Sequence, residues 1–148
     1  MHCPVCGVNI PRFLLSTIIG FAFLFGTDYV IHQNLLMSLY EQTSELWRPT
    51  ETMMDFFPLM LGAQFLMSAI TAMIFTRNYE GKGIMEGVRF GFLLGLLFAL
   101  MMSMSYIWIP IPLALAGGWA LAGLFQGFGL GVRCYIQFGS RKTPTYRK

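Results

Sequence analysis

Apolar residues run along this chain in four long stretches, each interrupted by a short polar segment. The first purely apolar stretch, residues 13–27, closes on Gly26-Thr27-Asp28-Tyr29-Val30-Ile31-His32-Gln33. At 1.5 Å per residue it is roughly 22 Å long, shorter than the ~30 Å hydrocarbon core of a bilayer. A helix over residues 13–33 therefore sets Asp28 a little inside one membrane boundary and His32 near the interface. Leu35, Leu36, Leu39, Tyr40 and Leu46 then recur at helical spacing among polar neighbours. That pattern predicts that the helix runs on or bends along the surface as an amphipathic segment, and Pro49 ends it. A second span is predicted over residues 56–76, with Thr52 or Asp55 as its N-cap. The polar turn 77–83 leads into a third over 84–105, and the aromatic, proline-rich turn 106–112 suits a membrane interface. The fourth covers residues 112–133.

Short turns make sequential spans antiparallel neighbours. The predicted fold class is an all-α membrane protein, a four-transmembrane-helix antiparallel bundle. It forms one domain over residues 1–148, with residues 1–12 as a polar lead and 134–148 as a basic tail. Composition agrees: 55% of the 148 residues are hydrophobic and 11% charged, against about 25% charged in soluble domains. Residues 21–28 offer no small-x-small cleavage pattern, so the first run reads as a retained helix. With the N-terminus inside, Arg12, Arg77, Lys82, Arg89, Arg133, Arg141, Lys142, Arg147 and Lys148 fall on the inner face and only Arg48 on the outer. The asymmetry predicts cytoplasmic termini and an outward-facing region 28–51.

Glycines predict how the spans pack. Gly83, Gly87, Gly91 and Gly95 repeat every four residues, and Gly123, Gly127 and Gly131 do so in the next span behind Ala116 and Ala120. In lipid, helices associate through close backbone approach at small residues, which predicts a tight hairpin of spans three and four. One hairpin needs one groove, so the second ridge is a candidate surface for another protomer or subunit. Gln64 and Gln126 are candidate interhelical hydrogen-bonding residues. Their expected depths differ, Gln64 nearer the outer leaflet and Gln126 nearer the inner, so they are not expected to pair.

Candidate chemistry gathers at two places. Asp28 and His32, four residues apart, share a helix face, and an ionisable group inside a span is a functional-site hypothesis. Glu41, Glu45, Glu51 and Asp55 follow on the same membrane side. Asp28, His32 and Glu41 are thus candidate metal ligands, since imidazole and carboxylate suit zinc, iron or copper, or members of a proton relay. Without such a role, Asp28 is held by His32 and water, and the glutamates form a solvated face. Met37, Met53, Met54, Met101, Met102 and Met104 at the outer span ends suit Cu(I) or serve as flexible apolar filler. At the opposite end, Cys3-Pro4-Val5-Cys6-Gly7 has the spacing of half a zinc site. His2 or Cys134 could complete a zinc knuckle with Cys3 and Cys6; a vestigial or redox pair is the alternative, and a reducing cytosol disfavours a disulfide. The basic tail suits anionic lipid rather than nucleic acid, and no phosphate-binding or hydrolase motif is present.

The run from Arg77-Asn78-Tyr79-Glu80-Gly81-Lys82-Gly83 to Ile84-Met85-Glu86-Gly87-Val88-Arg89-Phe90-Gly91, with Leu46-Trp47-Arg48-Pro49 upstream, resembles small bacterial four-helix integral membrane proteins of unknown function. The resemblance, over roughly residues 13–135, implies the fold and a bacterial inner membrane, with no activity to carry over. The expected function is that of a non-catalytic membrane protein acting as a homo-oligomer or as an accessory subunit of a larger membrane complex. Its expected partners are the lipid bilayer and other membrane subunits or itself. The alternative is metal-ion or proton handling, in a transporter, sensor or enzyme subunit, through the outer-face Asp/His/Glu cluster.

Overall fold

In a computed structural model, which describes residues 9–139, the chain is helical throughout and carries no strand among those residues. Helix α1 covers Ile10–Val30 and continues as a π-helical turn, Ile31–Leu35. Two short helices follow, α2 (Met37–Glu41) and α3 (Thr50–Asp55), with a 3-10 turn at Ser44–Leu46 between them. Then come α4 (Phe57–Asn78), α5 (Ile84–Ser103), α6 (Ser105–Trp108) and α7 (Leu113–Phe138). Four segments are long and apolar enough to cross a membrane: Ile10–Leu35, Phe57–Asn78, Ile84–Trp108 and Leu113–Phe138. This is a multi-pass membrane protein.

The spans are longer than the apolar runs alone predicted. Asn9 accepts from the Arg12 N–H at 3.3 Å and caps α1, with Pro11 in the first turn, where a missing N–H costs nothing. The first span thus begins three residues before residue 13. At the other end α7 runs to Phe138 because Cys134 and Phe138 are buried against Phe75, with Tyr79, Phe90 and Tyr135 around them. Thr52 and Asp55 are not N-caps; α3 starts after Pro49, and α4 follows Phe56 with Pro58 in its first turn and no side-chain cap.

Both glycine ridges face each other. A Cβ on Gly127 would lie 2.2 Å from the Gly95 nitrogen, and one on Gly131 would lie 2.3 Å from the Gly91 Cα. Gly87 meets Gly131 and Tyr135, and Gly123 meets Phe98 and Ala99, so partners descend along α7 as they ascend along α5. The two ridges fill one groove, and the expectation that one stays open for another chain is corrected. Gly83 does not belong to the ridge: nothing lies within 4 Å of a Cβ there. It stands before α5 at φ 93°, ψ −168°, backbone that only glycine adopts without strain. On its other side α7 meets α1 and α4, with Ser16, Thr17, Ser68, Thr71, Leu24 and Leu130 buried there.

Candidate functional site

The seam between α1, α4 and α7 holds the candidate site. Asp28, 18 residues after Ile10, turns its carboxylate toward both neighbouring helices. Gln126 of α7 donates its Nε2–H to Asp28 Oδ1 at 2.5 Å and to Thr27 Oγ1 at 3.1 Å. Gln64 of α4 donates its Nε2–H to Asp28 Oδ2. The two glutamines do not pair with each other, as expected. They do share a level, and their predicted separation in depth is corrected. The reason is the longer α7, whose midpoint falls at Gln126 once the helix reaches Phe138. Asp28 lies past the middle of its span, near the end of α1, and as a carboxylate it accepts two amide hydrogen bonds, each contributing about 1.5–3 kcal/mol.

The same site accepts the neutral acid. Gln64 Oε1 is buried and has no hydrogen-bond partner. A protonated carboxyl gains an O–H donor, and this amide oxygen is the acceptor next to it. Rotation of one amide group exchanges donation to a carboxylate for acceptance from a carboxylic acid.

His32 follows on the same face, with Nε2 3.8 Å from Asp28 Oδ1 and both side chains about 28–29% exposed. It lies in the π turn, closed by the Leu36 N–H to the Ile31 carbonyl at 2.9 Å; π turns concentrate at functional sites. Behind it the chain folds back. Leu36 is buried with Ile111, Leu115 and Ala116, which brings α2 against α7. Tyr40 then stands with its hydroxyl 2.6 Å from His32 Nδ1 and 2.6 Å from Trp119 Nε1. The indole N–H can only donate, so Tyr40 oxygen accepts from Trp119. Its own O–H is then free to donate to His32 Nδ1, which puts the imidazole proton on Nε2, facing Asp28. Trp47 stacks edge-on to Tyr40 and donates to Thr43 Oγ1 at 3.0 Å. Burial, above all, raises the Tyr40 pKa above the ordinary value of 10.0; the Trp119 N–H lowers it and the nearby Asp28 raises it. Tyr40 is therefore a neutral donor at physiological pH.

Of the residues singled out from sequence, Asp28 and His32 are brought together. Glu41, Glu45, Glu51 and Asp55 are exposed. No three His, Cys, Asp or Glu side chains converge among the described residues, so Asp28 and His32 form a pair without Glu41 as a third ligand. The six outer methionines are exposed on the apolar surface. His2, Cys3 and Cys6 lie outside the described residues. Cys134, their candidate partner, is fully buried in α7 and takes an N–H from Arg133 Nη2 at 3.4 Å. Arg133 Nη1 donates to the Ser16 carbonyl, its guanidinium filling the space that Gly20 leaves free. Tyr40, Thr27, Trp47 and Trp119 were missed as site residues. Tyr40 stood out in sequence only as a member of an amphipathic stripe, and an aromatic hydroxyl eight residues beyond a histidine was the available signal.

Comparison with protein-family models, curated proteins and solved structures found no match to this chain.

Proposed function

We propose that this protein takes up and releases a proton at Asp28, within the membrane, and exchanges it with one membrane face through His32 and Tyr40. The observation that carries this reading is the pair of amides around Asp28, with Gln64 Oε1 buried and unpartnered. A purely structural aspartate needs donors alone; this one has both a donor and a waiting acceptor. In the transfer, His32 gives its Nε2 proton to Asp28 Oδ1 across the 3.8 Å gap, closed by a small ring rotation, and a half-turn of the carboxyl then sets that O–H against the Gln64 amide. Tyr40 gives its O–H proton to Nδ1 and is reprotonated from the aqueous side. No covalent bond of a substrate breaks, so the role is proton handling in a transporter, a sensor or an enzyme subunit.

The full topology belongs to the same proposal: an antiparallel four-helix bundle with cytoplasmic termini in a bacterial inner membrane. The nine-to-one distribution of basic residues supports the orientation. The test is infrared titration of the purified protein in nanodiscs. A protonatable carboxyl that is lost in Asp28→Asn and shifted in His32→Ala is expected. A carboxyl signal independent of pH, with proton flux in proteoliposomes unchanged by Asp28→Asn, refutes the reading.

A second reading, the homo-oligomer or accessory subunit, is favoured by the outer face of α5. That helix is held chiefly by α7 and exposes Leu93, Leu97, Leu100 and Met101. A strictly monomeric protein with no co-purifying subunit in mild detergent refutes it.

A further inference from the structure

From Asp28 the polar seam does not run on to the other end of the bundle. On α1 the face that carries His32 and Asp28 continues, four residues at a time, through Leu24, Gly20 and Ser16. On α7 the run from Gln126 passes through Leu130 to Arg133. Gly129 against Phe23, and the Arg133 guanidinium beside Gly20 and on the Ser16 carbonyl, fix the register of the two helices. That register puts Leu24 and Leu130 at one level, and both are buried, at 4% and 0% exposure. Between the two polar levels all three helices are dry: residues 18–26, 65–67 and 127–132 are apolar residues and glycine throughout. On α7 the stretch from Gln126 to Arg133 rises about 10 Å.

Polar groups return beyond the leucines. Ser68 donates to the Thr17 carbonyl at 2.9 Å. Arg133 Nε and Gln137 Oε1, one turn apart, are buried without a hydrogen-bond partner, a donor and an acceptor suited to water. Arg133 meets no carboxylate among the described residues: at that end Glu80 pairs with Lys82, and Glu86 accepts the N–H groups of Glu80 and Lys82. Asp28 therefore faces His32 and Tyr40 on one side and, past the leucines, the Arg133 cation with Cys134 beside it on the other. From α4 it meets the Gln64 amide. A proton travels along hydrogen-bonded groups or water. Two buried leucines offer neither, and a fixed cation behind them repels it.

We propose that Leu24 and Leu130 form a barrier that confines proton exchange at Asp28 to the face reached through His32, with Arg133 holding protons off from the opposite side. The inference rests on the proton-handling reading and narrows it. Asp28 takes up and releases its proton on one side, as a sensor or a regulatory subunit requires, and the proton does not cross.

The full chain is reconstituted in proteoliposomes, and the decay of an imposed pH gradient is followed with an internal dye. Wild type and Leu24→Met, which keeps an apolar side chain of similar volume, should hold the gradient as protein-free vesicles do. Leu24→Asn and Leu130→Asn, close to leucine in size but able to hold water, should each raise the proton flux at least about tenfold. Adding Asp28→Asn should return the flux to baseline, and thermal unfolding controls for folding. A second measurement needs no substitution at the leucines. The fraction of Asp28 carboxyl that responds in the infrared to an acid jump outside the vesicles, and the fraction that responds to acid released inside them, should add up to the whole. Without a barrier, either jump reaches every molecule, and that result overturns the proposal. So does wild-type flux that Asp28→Asn abolishes, a folded asparagine variant pair that stays tight, or a leak that survives Asp28→Asn. An Asp28 carboxyl that never titrates, seen in nanodiscs without any gradient, overturns the proton-handling reading as well.

Discussion

The two faces of α7 are joined to their neighbours by opposite means. Toward α5 the contact is backbone against backbone, with Gly123, Gly127 and Gly131 seated on Ala99, Gly95 and Gly91. Toward α1 and α4 it is made by polar side chains of α7, with Gln126 on the Asp28 carboxylate and Arg133 on the Ser16 carbonyl. In lipid neither seam draws on water-driven burial, so each must supply its own attraction. The glycine seam does so by dispersion at the closest approach, which fixes distance and has no chemical state to change. The polar seam does so through donors and acceptors, and those can be rearranged by a proton. On the proton-handling reading proposed above, a single helix supplies both a rigid joint and a responsive site.

The largest effect is expected where distance alone matters. Gly127→Leu puts carbon into the Gly95 backbone and should destabilise the protein by about 3 kcal/mol or more; unfolding in mild detergent measures it. A tolerated leucine would show that α5 is held by something other than backbone approach. On the polar side, Asp28→Ala strands the amides of Gln64 and Gln126 and should cost about 2 kcal/mol. Asp28→Asn, which still accepts one amide, should cost clearly less, and equal losses would separate the seam from its hydrogen bonds.

Smaller effects sharpen the boundary between the two regions. Gly83→Ala should cost about 1 kcal/mol through its backbone angles alone, with α5–α7 cross-linking unchanged; lost cross-linking would return Gly83 to the ridge. The subtlest prediction concerns Tyr40. Its pKa is raised mainly by burial, so the folded protein keeps a proton that the unfolded chain releases above about pH 10. Stability should therefore fall as pH rises beyond that value, and ultraviolet titration should find Tyr40 ionising late together with Tyr79, whose pKa is also raised, mainly by burial. If Tyr40→Phe leaves the late amplitude undiminished, the assignment fails.

What could be read from sequence follows the range of the interactions. The four spans and the Asp28–His32 pair are local features, set by apolar run length and by spacing of four residues. The glycine register was visible as well, because its period needs no partner to be recognised. That both ridges fill the same groove could not be read, since it depends on the relative turn of two helices about their axes. The meeting of Gln64 and Gln126 at Asp28 was hidden for a related reason: depth was counted from apolar boundaries, and Cys134 and Phe138 extend α7 by contacts made with α4. The cap over His32 was legible only as an amphipathic stripe. Its fold-back depends on one wide turn that apolar periodicity does not mark.

That wide turn acts as a phase shifter. A π turn holds one residue more than an α turn between bonded groups, and one residue is a rotation of about 100°. Everything from Leu36 to Trp47 is therefore clocked by a single inserted position within Ile31–Leu35. Deleting one residue there would restore an unbroken helix, swing Leu36 away from Gly118 and carry Tyr40 off Trp119. The composition of the cap would be unchanged and its connection to His32 gone, so at this site chain length, as much as residue identity, carries the information.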